Sequence, residues 1–194
     1  PELPLAKVYS DLQITDGKLR GKFFKTNPSP KLRNTSRKLR EVMFKIILRR
    51  VRGKRFLDIC AGSGVIAIEA ISRGSLLGTF VDRSAKMCSL IRNNMAEMEI
   101  KPGHGEVFEM EAVPFLKQME KRRRFWDVVY FGAPFDTNYD EALEYFGRGA
   151  CIESKGMLII EHHAEMFFPE KLGRLRRWRV VVESDSALSF YEKV

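Results

Sequence analysis

Acidic and glycine residues stand at three successive points where a predicted strand gives way to a loop. The first point is the segment from Asp58 to Gly64, Asp-Ile-Cys-Ala-Gly-Ser-Gly, whose glycines let the backbone approach a ligand and begin a helix. Asp82 lies 18 residues past Gly64, where a carboxylate can accept both hydroxyls of a ribose. Glu111 ends the third predicted strand, in a position to meet an adenine edge. One ligand that contains adenosine would satisfy all three positions.

Two adenosine-containing ligands fit this pattern. Gly62, Gly64 and Ala67 match Gly-x-Gly-x-x-Ala, which is typical of a nicotinamide dinucleotide site. Asp58, however, precedes the loop, where a carboxylate can bind an ammonium group but would repel a pyrophosphate. We therefore expect S-adenosylmethionine as the cofactor and keep a dinucleotide as the alternative. The residues expected to line the site are Asp58, Ala61, Gly62, Ser63, Gly64, Asp82, Arg83, Glu111 and Ala112.

Strands and helices alternate along most of the chain. The predicted strands cover residues 55–60, 79–81, 106–110, 126–131 and 156–160. Helices lie between the first four of them, which favours a parallel sheet covered on both faces. Residues 178–182 and 187–191 read as an antiparallel hairpin that closes the sheet. The fold class we expect is α/β and Rossmann-like, with a mostly parallel seven-stranded sheet.

The N-terminal part carries the excess positive charge. Residues 12–25 predict a small hairpin that turns at Asp16-Gly17, and Thr35 or Ser36 is placed to cap a helix with one apolar face. Eleven basic residues and one acidic residue lie between Lys31 and Arg55, in a chain whose net charge is +9. Such a concentrated field favours a polyanion as partner, because neutralising phosphates releases counterions. We expect residues 1–35 to form a basic extension and residues 36–194 the main domain.

Four segments resemble one known family, the RsmD-like methyltransferases. They are Lys18 to Lys22, Arg33 to Phe44, Leu57 to Gly74, and Asp185 to Tyr191, and the resemblance runs from about Leu12 to the C-terminus. It implies a class I methyltransferase fold that uses S-adenosylmethionine to methylate a guanine exocyclic amine in 16S ribosomal RNA. By this resemblance Asp58, Gly62, Gly64, Asp82 and Glu111 bind the cofactor. The RNA-binding residues we expect are Arg20, Lys22, Arg33, Arg37, Lys38 and Arg40.

The chain departs from the family after the fourth predicted strand. Members of the family carry Asp/Asn-Pro-Pro-Tyr/Phe there, and this chain reads Gly132-Ala133-Pro134-Phe135. The acid or amide accepts the N–H hydrogens of the amine and aims its lone pair, while the aromatic residue stacks on the extruded base. Phe135 keeps the stacking role and the Ala133 carbonyl keeps an acceptor, but Gly132 has no side chain. Losing one such group costs on the order of 100- to 1,000-fold in rate.

Two further departures and one substitute lie near the expected site. Asn34 stands where the family has proline, and Arg37 where it has aspartate, in the segment Arg-Pro-Thr-x-Asp. Asp136, directly after Phe135, is a candidate replacement for the missing acid. The catalytic segment we expect is Gly132 to Phe135.

Composition limits the remaining possibilities. The 194 residues are 44% apolar, which is enough for a packed core, and no apolar run approaches the ~20 residues of a membrane helix. The three cysteines lack Cys-x-x-Cys spacing, so neither a disulfide framework nor a metal site is expected. The chain does not open with a basic segment followed by an apolar one, and we expect a cytoplasmic monomer.

The leading hypothesis is methyl transfer from S-adenosylmethionine to a base amine, most simply guanine of small-subunit ribosomal RNA. The rival hypothesis is an inactive homologue that binds RNA, and the cofactor with it, without transferring methyl. Gly132 and Ala133 are the residues that motivate the rival.

Overall fold

The computed structural model describes residues 11–26, 34–135 and 137–194. Its helices are α1 (Arg37–Ile47), α2 (Val65–Ser72), α3 (Ala85–Glu97), α4 (Ala112–Arg122) and α5 (Asp140–Gly147), with a 3-10 turn (Leu48–Arg50) after α1. Its strands are β1 (Arg55–Ile59), β2 (Leu77–Asp82), β3 (Gly105–Glu109), β4 (Trp126–Phe131), β5 (Ile152–His163), β6 (Lys171–Leu172), β7 (Leu175–Glu183) and β8 (Ser186–Lys193). No helix in these ranges is long and apolar enough to cross a membrane.

The described strands form one sheet in the order β3-β2-β1-β4-β5-β8-β7-β6. β1 to β5 pair in parallel, and β8, β7 and β6 continue the sheet with antiparallel pairs. The predicted parallel sheet with a C-terminal antiparallel hairpin is confirmed. The predicted strand number is one too low, because β6 has only two residues, Lys171 and Leu172. A strand of that length shows no alternation from which it could be recognised.

The two faces of the sheet carry separate cores. On one face Phe56, Phe80 and Ile159 pack with apolar residues of α1, α2 and α3. On the other face Leu57 and Ile160 pack with apolar residues of α4 and α5. Neighbouring residues of one strand therefore serve opposite cores, as the two-residue repeat of a strand requires.

Helix α1 forms as its sequence predicts. Ser36 is its N-cap, and the hydroxyl oxygen accepts a hydrogen bond from the Leu39 amide at 3.2 Å. Leu39, Met43 and Ile47 are buried at spacings of four residues. This helix leads the N-terminal chain onto the same face of the sheet as α2 and α3.

Residues 12–25 fold back on themselves, as predicted, but with a single bridge between Gln13 and Phe23 in place of two strands. Gly17 and Gly21 both have positive φ values, 85° and 82°, so the reversal spreads over a longer turn than the predicted Asp16-Gly17. The amide of Lys18 donates to the Ser72 carbonyl at 2.8 Å. The turn is therefore shaped by its contact with α2 rather than by a tight hairpin.

A buried ion pair joins this N-terminal segment, α1 and α2. The side chains of Arg40 and Glu69 are both 0% exposed, with Nε and Oε2 3.5 Å apart. Glu69 also accepts from the amide and the hydroxyl of Thr15, each at 2.6 Å, and pairs with Arg73. The Arg40 guanidinium donates to the carbonyls of Thr35 and Gln13. The desolvation that lowers the pKa of Arg40 is opposed first by the charge of Glu69.

Removing one partner of this pair should cost much stability. For Glu69→Ala we expect the free energy of unfolding to fall by about 3–5 kcal/mol, because Arg40 would keep a buried, uncompensated charge. Urea denaturation followed by circular dichroism measures the change. Glu97→Ala is the matched control, since Glu97 pairs with Lys25 of the same N-terminal segment but is half exposed, and it should cost less than about 1 kcal/mol. Equal losses for the two variants would contradict the structural importance of the buried pair.

Candidate functional site

The β1–α2 loop has the conformation that close approach of a ligand requires. Gly62 and Gly64 have φ values of 57° and 81°. A Cβ on Gly64 would lie 2.9 Å from the Phe80 ring, so a side chain at that position has no room. α2 begins at Val65, directly after the loop, and its first amides lie at the carboxyl edge of the sheet. This is the predicted position and form of the loop.

Asp58 is held beneath the loop. Its carboxylate is buried and accepts a hydrogen bond from the Ala67 amide at 3.3 Å. Burial, as the largest cause, together with the charges of Asp82 and Glu161 raises the pKa of Asp58 to about 7, although the hydrogen bond from the Ala67 amide opposes the rise. The charges of Asp82 and Glu161 therefore both act on Asp58 at this edge, which disfavours a further anion and favours a cation.

Asp82 connects the end of β2 to the same loop. One carboxylate oxygen accepts from the Gly62 amide at 3.0 Å, and the other accepts from the Ser84 amide at 2.9 Å. The end of β3 lies alongside, since the Met110 amide donates to the Asp82 carbonyl at 3.0 Å. Glu111 follows as the exposed N-cap residue of α4, two residues past the end of β3 rather than on it. The acidic residues predicted for the cofactor are thus at the carboxyl ends of three adjacent strands.

The space beside Gly132 is already filled. The Gly132 amide donates to the Ile59 carbonyl at 3.2 Å, which places it at the carboxyl edge between β1 and β5. A Cβ built on Gly132 would lie 2.8 Å from Cε1 of Tyr130 and 3.4 Å from its hydroxyl oxygen. The Tyr130 ring, which is 2% exposed, therefore takes the room that a side chain at this position would need.

Tyr130 and Glu161 are site residues that sequence reasoning missed. The Tyr130 hydroxyl donates to the Glu161 carboxylate, and the Thr35 hydroxyl donates to the same oxygen at 2.7 Å. Burial, together with the charge of Glu161, raises the pKa of Tyr130, so its hydroxyl stays protonated. The signal for Glu161 in the sequence is an acid at the end of an apolar strand, Ile159-Ile160-Glu161.

The rest of the predicted catalytic segment is only partly open. The Phe135 ring meets the His163 ring edge-on, with centroids 5.6 Å apart. The Ala133 and Pro134 carbonyls each lie 3.3 Å from the Tyr139 hydroxyl, which donates to them. The expected acceptor at Ala133 therefore already has a donor. Asp136, the candidate substitute, lies outside the described residues.

The residues expected to contact RNA do not share one environment. Arg20, Lys22 and Lys38 are exposed, and Arg37 is half-buried against Glu41, with Nε and Oε1 2.9 Å apart. Arg33 lies outside the described residues.

The prediction that Arg40 contacts RNA is wrong. Because its guanidinium is fully buried against Glu69, it cannot reach a phosphate. Arg40 lies on α1 among basic residues that are exposed, so its burial could not be predicted from the sequence.

Departures from the family pattern also lie at this edge. The Asn34 side chain accepts from the Ser63 hydroxyl at 2.9 Å and donates to the Thr26 hydroxyl at 2.8 Å. It therefore links the segment before α1 to the β1–α2 loop.

Within residues 11–26, 34–135 and 137–194, no three potential metal ligands cluster.

Comparison with known proteins gives the family. The family described as Conserved hypothetical protein 95 matches residues 12–192. The chain belongs to this family. It is 28% identical over 183 residues to "Putative rRNA methyltransferase YlbH" of Bacillus subtilis, covering 94% of this chain and 99% of that protein. It is 24% identical over 193 residues to "Ribosomal RNA small subunit methyltransferase D" of Haemophilus influenzae, covering 98% and 95%.

The fold is shared with a solved relative. The structure described as "Putative methyltransferase yhhF from Escherichia coli" superposes with a TM-score of 0.79 at 22% identity, covering 93% of this chain and 97% of that one. The predicted RsmD-like family and its α/β methyltransferase fold are confirmed by these matches.

The contact between Tyr130 and position 132 can be measured. For Gly132→Ala we expect the free energy of unfolding to fall by roughly 1–3 kcal/mol, because the new methyl meets a buried ring whose hydroxyl is hydrogen-bonded to Glu161. In a Tyr130→Leu background the same change should cost at least about 1 kcal/mol less, since the ring edge is gone. Urea denaturation of the four proteins in this double-mutant cycle gives the coupling energy. A neutral or stabilising Gly132→Ala in the wild-type background would refute the contact.

Proposed function

We propose that this protein binds S-adenosylmethionine at the carboxyl ends of β1, β2 and β3 and methylates a base amine of ribosomal RNA. The observation that supports the cofactor most directly is the group of carboxylates around the glycine loop, Asp58 and Asp82. Asp58 suits the ammonium of an amino acid, and Asp82 suits the two ribose hydroxyls. The cofactor supplies a methyl group on a sulfonium, which is itself cationic and compatible with this field.

The same carboxylates disfavour the dinucleotide alternative. A pyrophosphate at the β1–α2 loop would lie near Asp58 and Asp82, whose mutual repulsion already contributes to the raised pKa of Asp58. A second pair of negative charges would increase that repulsion. Nicotinamide chemistry is therefore the weaker candidate.

Ribosomal RNA is the substrate we propose, and a guanine amine of the small subunit is its most specific form. Relatives that align over nearly the whole chain are named as ribosomal RNA methyltransferases. Exposed Arg20, Lys22 and Lys38 offer phosphate contacts, and Phe135 offers a stacking surface for an extruded base. We assign the phosphate contacts to the basic N-terminal extension, residues 1–35, and the start of α1.

A second candidate function has its own observation. The Tyr130 ring takes the place of a side chain at Gly132, so the usual acceptor is absent and cannot be accommodated without movement. An inactive protein that binds RNA and the cofactor would carry this change without penalty.

Methyl transfer decides between the two candidates. We expect tritium from methyl-labelled S-adenosylmethionine to enter the RNA of undermethylated small ribosomal subunits, and digestion by nuclease and phosphatase to recover it as N2-methylguanosine. Asp82→Ala should lower labelling by roughly 10- to 100-fold at low cofactor concentration, since charged hydrogen bonds to the ribose are lost. Asp140→Ala, at the exposed start of α5, should leave labelling unchanged. Cofactor binding without any labelling would favour the inactive candidate, and NADH binding without S-adenosylmethionine binding would favour the dinucleotide.

Cofactor affinity should rise with pH. In the free protein Asp58 has a pKa of about 7 and is mostly protonated at pH 6. The ligand ammonium favours the ionised form, so binding should strengthen as pH rises through the raised pKa. Between pH 6 and pH 7.5 we expect the Kd of S-adenosylhomocysteine, measured by calorimetry, to fall roughly fivefold to tenfold. Asp58→Asn should bind more weakly and with a flat profile; an equally steep profile would assign the titration to another group.

A further inference from the structure

The strand next to Gly132 carries a carboxylate at the matching level. In the β4–β5 pair the last residues in register are Phe131 and Ile160, so Gly132 and Glu161 follow side by side. Side chains at matched levels of parallel strands point to the same face of the sheet. Tyr130 and Ile159, one repeat earlier, lie in the core of that face. A side chain at position 132 and the side chain of Glu161 therefore belong to one face and one edge.

The Glu161 carboxylate also lies close to the position that a side chain at residue 132 would occupy. A Cβ at Gly132 would be 3.4 Å from the Tyr130 hydroxyl oxygen, and that hydroxyl is hydrogen-bonded to Glu161. The carboxylate thus lies about one side-chain length from the place that an acid at position 132 would occupy. Because glycine stands at position 132, the site lacks one carboxylate, but it still contains the carboxylate of Glu161.

Buried groups fix the direction of this carboxylate. Tyr130 and Thr35 are 2% and 6% exposed, and both hydroxyls donate to the same oxygen of Glu161. Glu161 itself is half-buried, and these two hydroxyls hold it from the buried side. Such anchoring reduces the motion of a group that must meet a substrate atom.

The stacking residue lies on the same part of β5. Phe135 contacts His163, which is two residues after Glu161 and therefore on the same face of the strand. A base stacked on Phe135 would present its edge close to this face. The aromatic surface and the carboxylate are thus positioned for one substrate.

We propose that Glu161 is the catalytic acceptor that replaces the acid missing at Gly132, and that Tyr130 and Thr35 are its positioning residues. This inference rests on the methyl transfer proposed above. Glu161 accepts an N–H hydrogen of the target amine and directs the nitrogen lone pair towards the methyl carbon. As the N–C bond forms, the S–C bond breaks and its electron pair stays on sulfur. The nitrogen then loses one proton to the Glu161 carboxylate, which passes it to water.

Truncation of Glu161 tests the role directly. In the subunit-labelling assay, Glu161→Ala should lower kcat by about 100-fold or more, while KM for subunits and the Kd of S-adenosylhomocysteine stay within threefold. Glu161→Gln keeps an acceptor oxygen and should recover at least tenfold of that loss. Tyr130→Phe removes only the positioning hydroxyl and should lower kcat by roughly threefold to tenfold. Glu153→Ala, exposed at the opposite end of β5, is the matched control.

A carboxylate restored at position 132 provides the second test. In the Glu161→Ala protein, adding Gly132→Asp together with Tyr130→Leu supplies both the acid and its room. We expect kcat to rise at least tenfold over Glu161→Ala, and thermal melting to show that every variant compared is folded.

Each result has a distinct meaning. A Glu161→Ala protein with kcat within threefold of the Glu153→Ala control would overturn the inference and leave the methyltransferase assignment intact. A rise in KM or in the Kd of S-adenosylhomocysteine with unchanged kcat would likewise overturn it. A wild-type protein that binds the cofactor but labels no RNA would overturn the proposed function. Labelling that appears only with Gly132→Asp and Tyr130→Leu would overturn Glu161 as acceptor and support the inactive candidate.

Discussion

The parallel alignment of β1, β4 and β5 is the constraint on which the site depends. Asp58, Tyr130 and Ile159 lie at one level of these strands, and Gly132 and Glu161 lie one repeat further on the same face. Three adjacent strands that end at one edge bring together residues far apart in sequence. The electrostatic character of the edge follows from that alignment, since the carboxylates it gathers raise the pKa of Asp58 beyond the effect of burial.

A second set of contacts holds the N-terminal chain against this framework. The buried pair of Arg40 and Glu69 joins α1 to α2, and Thr15 brings the preceding segment to the same carboxylate. Thr35, which directly precedes the N-cap of α1, donates to Glu161, and Asn34 accepts from Ser63 of the glycine loop. The basic N-terminal segment is therefore connected to the carboxyl edge of the sheet through polar contacts and not only through a linker.

Gly132 and Tyr130 are best understood together. Gly132 brings no side chain to the carboxyl edge of the sheet, and the Tyr130 ring fills the space beside it. The Tyr130 hydroxyl donates to the Glu161 carboxylate of the next strand. This edge therefore still carries a carboxylate.

The amino-acid sequence by itself determined the alternation of strands and helices, the glycine loop, the acids at the first two strand ends and the family. These features are local, because periodicity, caps and motif spacing act within a few residues. It did not reveal β6, which has only two residues, nor α5, nor that Arg40 points inward. It also did not reveal the pairing of Tyr130 with Glu161, 31 residues apart. Only the tertiary structure decided these, because strand register and burial arise from contacts between segments that the sequence order separates.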